Sequence, residues 1–139
     1  MNIYTLTVAL HVIIAVLGVG QLTALGVVAA RENAAPDAAK VALRTLGNLT
    51  TGVTGSLVAM LVTGLAAEWL SGWAYHGTWW FRIAFLLFLL VGACAGGVRK
   101  TLRGGDADPG KALARIRALA GIMVGLTAVI VALMQLTPL

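Results

Sequence analysis

Charge is the scarcest property of this sequence. Only 11% of its 139 residues are Asp, Glu, Lys or Arg, against about 25% in ordinary water-soluble domains. A chain so poor in charge cannot cover a water-facing surface with polar groups, so a soluble globular domain is excluded. Cysteine is nearly missing as well. Cys94 stands alone, which rules out an internal disulfide and any multi-Cys metal cluster. Enzyme signatures are lacking: there is no P-loop and no nucleophile elbow. No paired carboxylates lie within the apolar runs, and no charged relay crosses their middle as a proton pump would need. The period-two alternation of a membrane barrel strand is missing too. The start, Met1-Asn2-Ile3-Tyr4, lacks a basic n-region, so the first apolar run reads as a retained span and not as a cleaved signal.

What remains is hydrophobic. AVILMFWYC residues make up 60% of the chain, with a mean hydropathy of +0.94. Four stretches, roughly 3–30, 46–67, 79–98 and 113–136, are long enough for a hydrocarbon core that takes about 20 residues per helix. Backbone groups in lipid must bond internally, which leaves helices as the answer. The predicted fold is therefore all-α and integral to the membrane. Its four transmembrane helices form one bundle in a single domain covering 1–139. A shift of 71 residues pairs Gly26-Val27 with Gly97-Val98, Asp37 with Asp108, Lys40 with Lys111 and Arg44 with Arg115. Two hairpins related by duplication are thus an open alternative.

The few charges are sharply sorted. Arg31, Lys40 and Arg44 flank the first connection, and Arg99, Lys100, Arg103, Lys111, Arg115 and Arg117 flank the third. Trp69, Trp73, Trp79 and Trp80 crowd the second, with only Arg82 nearby as a cation. Cationic loops stay cytoplasmic while Trp rings collect at a membrane interface. The expected topology is a multi-pass protein of the bacterial inner (cytoplasmic) membrane with both termini outside. The cations flank spans and do not line one exposed face, so nucleic acid is not an expected partner. Anionic lipid headgroups are. Pro36-Asp37 reads as a helix start, and the loop Thr101–Gly110 carries strong turn chemistry in Gly104–Gly110.

Small residues suggest how the helices pack. Gly47, Thr51, Gly55, Ala59, Thr63 and Ala67 recur at four-residue spacing in the second span. Gly92/Gly96 and Gly121/Gly125 are GxxxG pairs in the third and fourth. Helices in lipid associate through such close van der Waals contact. Bundle packing is the expected role of these faces, with a partner subunit as the alternative for at least one of them.

His11 is the most informative polar residue. It lies about two turns below Tyr4, roughly 10 Å into the membrane from the outer end. A neutral imidazole there either ligates a haem or chlorophyll-type pigment or a copper ion, or bonds a Thr or carbonyl of a neighbouring helix. A bis-His haem would have only His76, in the Trp-rich turn, as its second ligand. Glu68 and Arg82 end the second span and begin the third, and are expected to pair with each other or to snorkel. With His76 they form an outer-face polar cluster. Gln21, deeper in the first span, is expected to donate an interhelical hydrogen bond. No catalytic residue and no multi-residue metal site is assigned.

The segment Leu10-His11-Val12-Ile13-Ile14-Ala15-Val16-Leu17-Gly18-Val19-Gly20 resembles bacterial four-span integral membrane proteins of unknown function. These are distantly akin to copper-resistance-D-type domains and HemJ-type protoporphyrinogen oxidases. Those begin with Leu-His, a short apolar run, and a Gly pair often preceded by Trp. Here Leu17 stands at the Trp position and Val19 separates Gly18 from Gly20. The resemblance implies a haem- or metal-associated role for His11. The other residues such enzymes require have no counterpart here, so their activity does not follow. The function expected from the residues is a small non-catalytic accessory or structural subunit of a larger membrane complex, respiratory or photosynthetic in type. Binding of haem, chlorin or copper through His11 is the alternative.

Overall fold

The computed structural model describes residues 2–31, 36–104 and 108–136. The described residues form four helices, α1 (Ile3–Arg31), α2 (Pro36–Leu70), α3 (Trp79–Gly104) and α4 (Pro109–Leu136), and no strand. All four are long and apolar enough to cross a membrane. At 1.5 Å per residue the 29 residues of α1 extend about 43 Å, beyond a ~30 Å core, so the helix tilts or protrudes.

The helices outrun the apolar segments at the cationic end. α2 begins at Pro36 and not near Leu46, α3 continues to Gly104, and α4 starts at Pro109. Thr101–Gly104, expected within a loop, are therefore helical, while 105–107 lie outside the described residues. Apolarity marks only the hydrocarbon slab, whereas a helix continues through the headgroup layer when Lys and Arg stems lie along it and their charges reach water. Arg99, Lys100 and Arg103 are all exposed, as are Arg31, Arg44, Lys111 and Arg115.

Local chemistry sets the ends. α4 opens with Pro at its first position, where a missing N–H loses nothing. Asp108 caps it, its Oδ1 accepting from Lys111 N at 3.2 Å. α2 closes in a Schellman motif: Trp73 N donates to Glu68 O at 3.0 Å and Gly72 N to Trp69 O at 3.1 Å. Gly72, at φ +73°, supplies the left-handed residue that this ending needs. Hydroxyls within the spans satisfy themselves. Thr7, Thr23, Thr50, Thr54 and Thr101 each donate to the carbonyl four residues back.

α1 packs chiefly on α2 and α3 on α4. The two hairpins meet mainly through α1 and α4, with lesser α2–α3 and α2–α4 contacts, and the backbones of α1 and α3 do not come close. The core is lopsided. Leu22, Leu25, Leu46, Val53, Val98, Ile116, Ala120 and Met123 are buried together in the half nearer the cationic loops. Arg117 of α4 ties that half to α1, its Nε donating to the Ala29 carbonyl at 2.9 Å, one of the carbonyls a helix C-terminus leaves unpaired. Toward the Trp end, Ala84 and Glu68 are the buried exceptions.

The small-residue faces do not pack the bundle as expected. A Cβ added at Gly47, Gly55, Gly92, Gly96, Gly121 or Gly125 would meet nothing within 4 Å. In α2 the reason is helical phase. Four-residue steps advance about 40° each at 3.6 residues per turn, so Gly47 and Thr63 point to nearly opposite sides. The face that meets α1 carries Gly52, Ser56, Thr63 and Gly64 instead. Ala59 contributes its carbonyl, which accepts from Thr63 Oγ1 at 2.8 Å. In α3 the inner face is Val91, Ala95 and Val98, and the glycine pair is about 100° away. In α4 the inner face is Ile116, Ala120 and Met123, which likewise turns Gly121 and Gly125 outward.

Candidate functional site

Polar side chains within the bundle gather along the α1–α2 seam. Ser56 Oγ donates to Gln21 Oε1 at 3.1 Å. Gln21 thus makes the interhelical bond expected of it, as acceptor instead of donor, and a Cβ at Gly52 would come within 2.9 Å of that same oxygen. Gly18 seats Ser56 in the same way, at 3.0 Å. The absent side chains of Gly18 and Gly52 let the two backbones approach closely enough for the bond to form.

Three turns of α1 above Gln21, His11 Nδ1 lies 2.8 Å from Thr63 Oγ1. This is the helix-to-helix alternative weighed for His11. The Thr63 hydroxyl has one proton, and it is directed at the Ala59 carbonyl at 2.8 Å, with the Met60 carbonyl at 3.3 Å. With that proton given to the Ala59 carbonyl, we assign Nδ1 as the donor in the 2.8 Å contact. A neutral imidazole with Nδ1–H carries a lone pair on Nε2, and among the described residues Nε2 has no hydrogen-bond partner. Gly64 makes room for the ring, since a Cβ there would stand 3.2 Å from His11 Cε1.

His11 borders a crevice of about 490 Å³ between α1 and α4, in the half nearer the Trp-rich turn, floored by Met60 and Phe88. A smaller cavity of about 100 Å³ shares His11, Met60, Phe88 and Met134 with it. Val12 and Val16 on one side, and Val131 and Met134 on the other, are exposed residues of the crevice lining. They mark a mouth that opens sideways between α1 and α4. Nothing in the sequence flagged this space, because it follows from how the helices are set against one another.

The polar cluster at the Trp-rich end exists, but its partners differ from those expected. Glu68 is buried and does not pair with Arg82. Its Oε1 accepts from Tyr75 N at 3.0 Å and His76 N at 2.7 Å, closing the Trp-rich turn around one carboxylate. Among the described residues, Glu68 Oε2 is buried with no hydrogen-bond partner. Arg82 Nε donates to the His76 carbonyl at 3.0 Å, and His76 Nδ1 lies 2.6 Å from the Trp73 carbonyl. The cluster builds the turn. It does not join His11, so no second histidine reaches the crevice. Among the described residues, no three His, Cys, Asp or Glu side chains converge as a metal site.

Fold and site define an all-helical, four-span membrane protein with a lateral apolar crevice. Comparison with known proteins finds no matching family, no matching curated protein and no matching solved structure.

Proposed function

We propose that this chain is a small non-catalytic subunit of a larger membrane complex, respiratory or photosynthetic in type, that packs on its partners through outward-facing glycines. The observation that carries the reading is the emptiness around Gly55, Gly92, Gly96, Gly121 and Gly125, none of which has a neighbour within 4 Å of its would-be Cβ. Glycine inside a helix lowers intrinsic helix stability relative to alanine by about 1 kcal/mol. Three helices bearing it on outer faces are accounted for when another backbone must come close there. The site chemistry supports the non-catalytic part of the reading, because the outer polar groups are engaged in building a turn. In this reading the protein lies in a bacterial inner membrane with its cationic loops cytoplasmic and both termini outside.

The test uses Gly92→Leu and Gly121→Leu, separately and together. Each leucine enters open space, so helicity and unfolding midpoint should stay near wild type. After gentle solubilisation from native membranes, native mass spectrometry should show the wild-type chain within a larger assembly and the double variant released as a single chain. Identical assemblies for the wild type and the double variant would refute the reading.

A further inference from the structure

We propose that the crevice between α1 and α4 is a binding site for an uncharged, hydroxylated membrane-soluble molecule of the isoprenoid-quinol class, held by a hydrogen bond from its hydroxyl to His11 Nε2. The inference stands apart from the assembly reading and rests on three observations.

The first is the direction of the hydrogen bond. With the Thr63 hydroxyl donating to the Ala59 carbonyl, we assign the 2.8 Å contact to His11 Nδ1 to the tautomer whose Nε2 is an acceptor. An acceptor in apolar surroundings calls for a donor, since an unmet polar group there is costly. A ligand O–H supplies one.

The second is charge. Among the described residues, no Lys, Arg, Asp or Glu borders the crevice. Arg82, the one cation outside the two basic segments, is bonded to the His76 carbonyl. A phosphorylated headgroup or a carboxylated ring would find no counter-charge here. An uncharged headgroup needs none.

The third is form. A volume of about 490 Å³ falls within the range of small-molecule sites, about 300–1,000 Å³. It admits a ring and the start of a branched tail. The walls are Val, Leu, Ile and Phe, while Thr127 and Gln135 of α4 add polar atoms to the same crevice. The mouth opens sideways, through exposed Val16 and Val131, so a molecule dissolved in the bilayer enters without crossing water. The inference is one of binding, and no electron transfer forms part of it.

The test uses the full chain, purified and reconstituted in quinone-free nanodiscs, with decylubiquinol kept reduced and its bis-methyl ether as paired probes. The ether keeps ring and tail but loses the hydroxyl donors. Saturable one-to-one binding of the quinol is expected, with the ether at least tenfold weaker. In protein carrying ¹⁵N-labelled imidazole, the quinol should shift the His11 Nε2 resonance and the ether should not. His11→Phe should bind the quinol at least tenfold more weakly. Thr63→Val should mix the two tautomers in the ¹⁵N spectrum and weaken binding in step, whereas Ala114→Leu, exposed near the cationic end of α4, should leave it unchanged. Should His11→Phe fail to fold, Met134→Trp fills the crevice from α4 while keeping the His11–Thr63 bond, and it should abolish binding. Equal affinity for quinol and ether, or binding unaffected by Met134→Trp, would overturn the proposal. So would stoichiometric displacement of the quinol by phosphatidylethanolamine, or a Soret band in the purified protein that disappears in His11→Ala.

Discussion

Single glycines in α2 carry opposite meanings. Gly64 faces the His11 ring at a would-be Cβ distance of 3.2 Å, whereas Gly55 faces nothing within 4 Å. Gly64→Ala should push the imidazole off its place, weaken the bond to Thr63 and destabilise the protein by about 1–3 kcal/mol, the usual range for overpacking. Gly55→Ala should leave stability unchanged or raise it by up to about 1 kcal/mol through helix propensity. Reversible unfolding in mixed micelles, with the two variants side by side, checks the pair. A loss at Gly55 equal to that at Gly64 would mean that the α1–α2 seam is misplaced. The sequence displays both residues as glycines in one apolar run. The four-residue ladder it offers draws the eye to Gly47 and Gly55, while the residues that seat His11 and Gln21 lie on another side.

At the scale of an element, the start of α4 depends on one carboxylate. The Lys111 N–H bonded to Asp108, with the Lys111 ammonium 3.4 Å from Oδ2, holds the Asp108 carboxyl below its ordinary value of 3.8. A folded-state pKa below the unfolded one means that the cap contributes above the unfolded value and fades as pH falls through the folded one. Amide shifts of Gly110–Leu113 should therefore be steady from neutral pH down to about 3.8 and move toward frayed values below it. Asp108→Asn keeps an acceptor at the cap and should flatten that dependence. Asp108→Ala should fray the first turn at every pH. A first turn of α4 that ignores both pH and Asp108→Ala would show the cap to be idle. The Asp108-Pro109 start was legible in the sequence as turn chemistry, though the loop was expected to reach further back than the observed end of α3 at Gly104.

For the whole molecule, the tightly packed half and the open half coincide with the two ends marked by charge and by tryptophan. Buried Leu25, Leu46, Val98 and Ile116 lie toward the cationic end, while the crevice lies toward Trp69–Trp80. The turn there is built around Glu68 and held by Gly72, with Trp69, Trp73 and Trp79 exposed as an interfacial rim. If this rim faces out, cysteines introduced at Gly77, whose would-be Cβ meets open space, and at Gly104 in a Cys94→Ala background should react with an impermeant maleimide from opposite sides. Position 77 should label in intact cells and position 104 only after lysis. The reverse pattern would turn the protein over in the membrane.

The sequence by itself determined the class of fold and the number of spans, because apolar length and the need to satisfy a backbone in lipid leave helices as the solution. It also sorted the two ends, since charge and tryptophan respond to the membrane without reference to any neighbour. Contacts between helices were decided by the tertiary structure alone. Whether Gly55 or Gly64 meets α1 depends on helical phase and tilt, which composition does not carry. Glu68 bonds the amides of Tyr75 and His76 and not Arg82 because the chain reverses tightly after Gly72. The sequence singled out His11 for its depth in an apolar run. Its tautomer and its crevice exist only once Thr63 and α4 are in place.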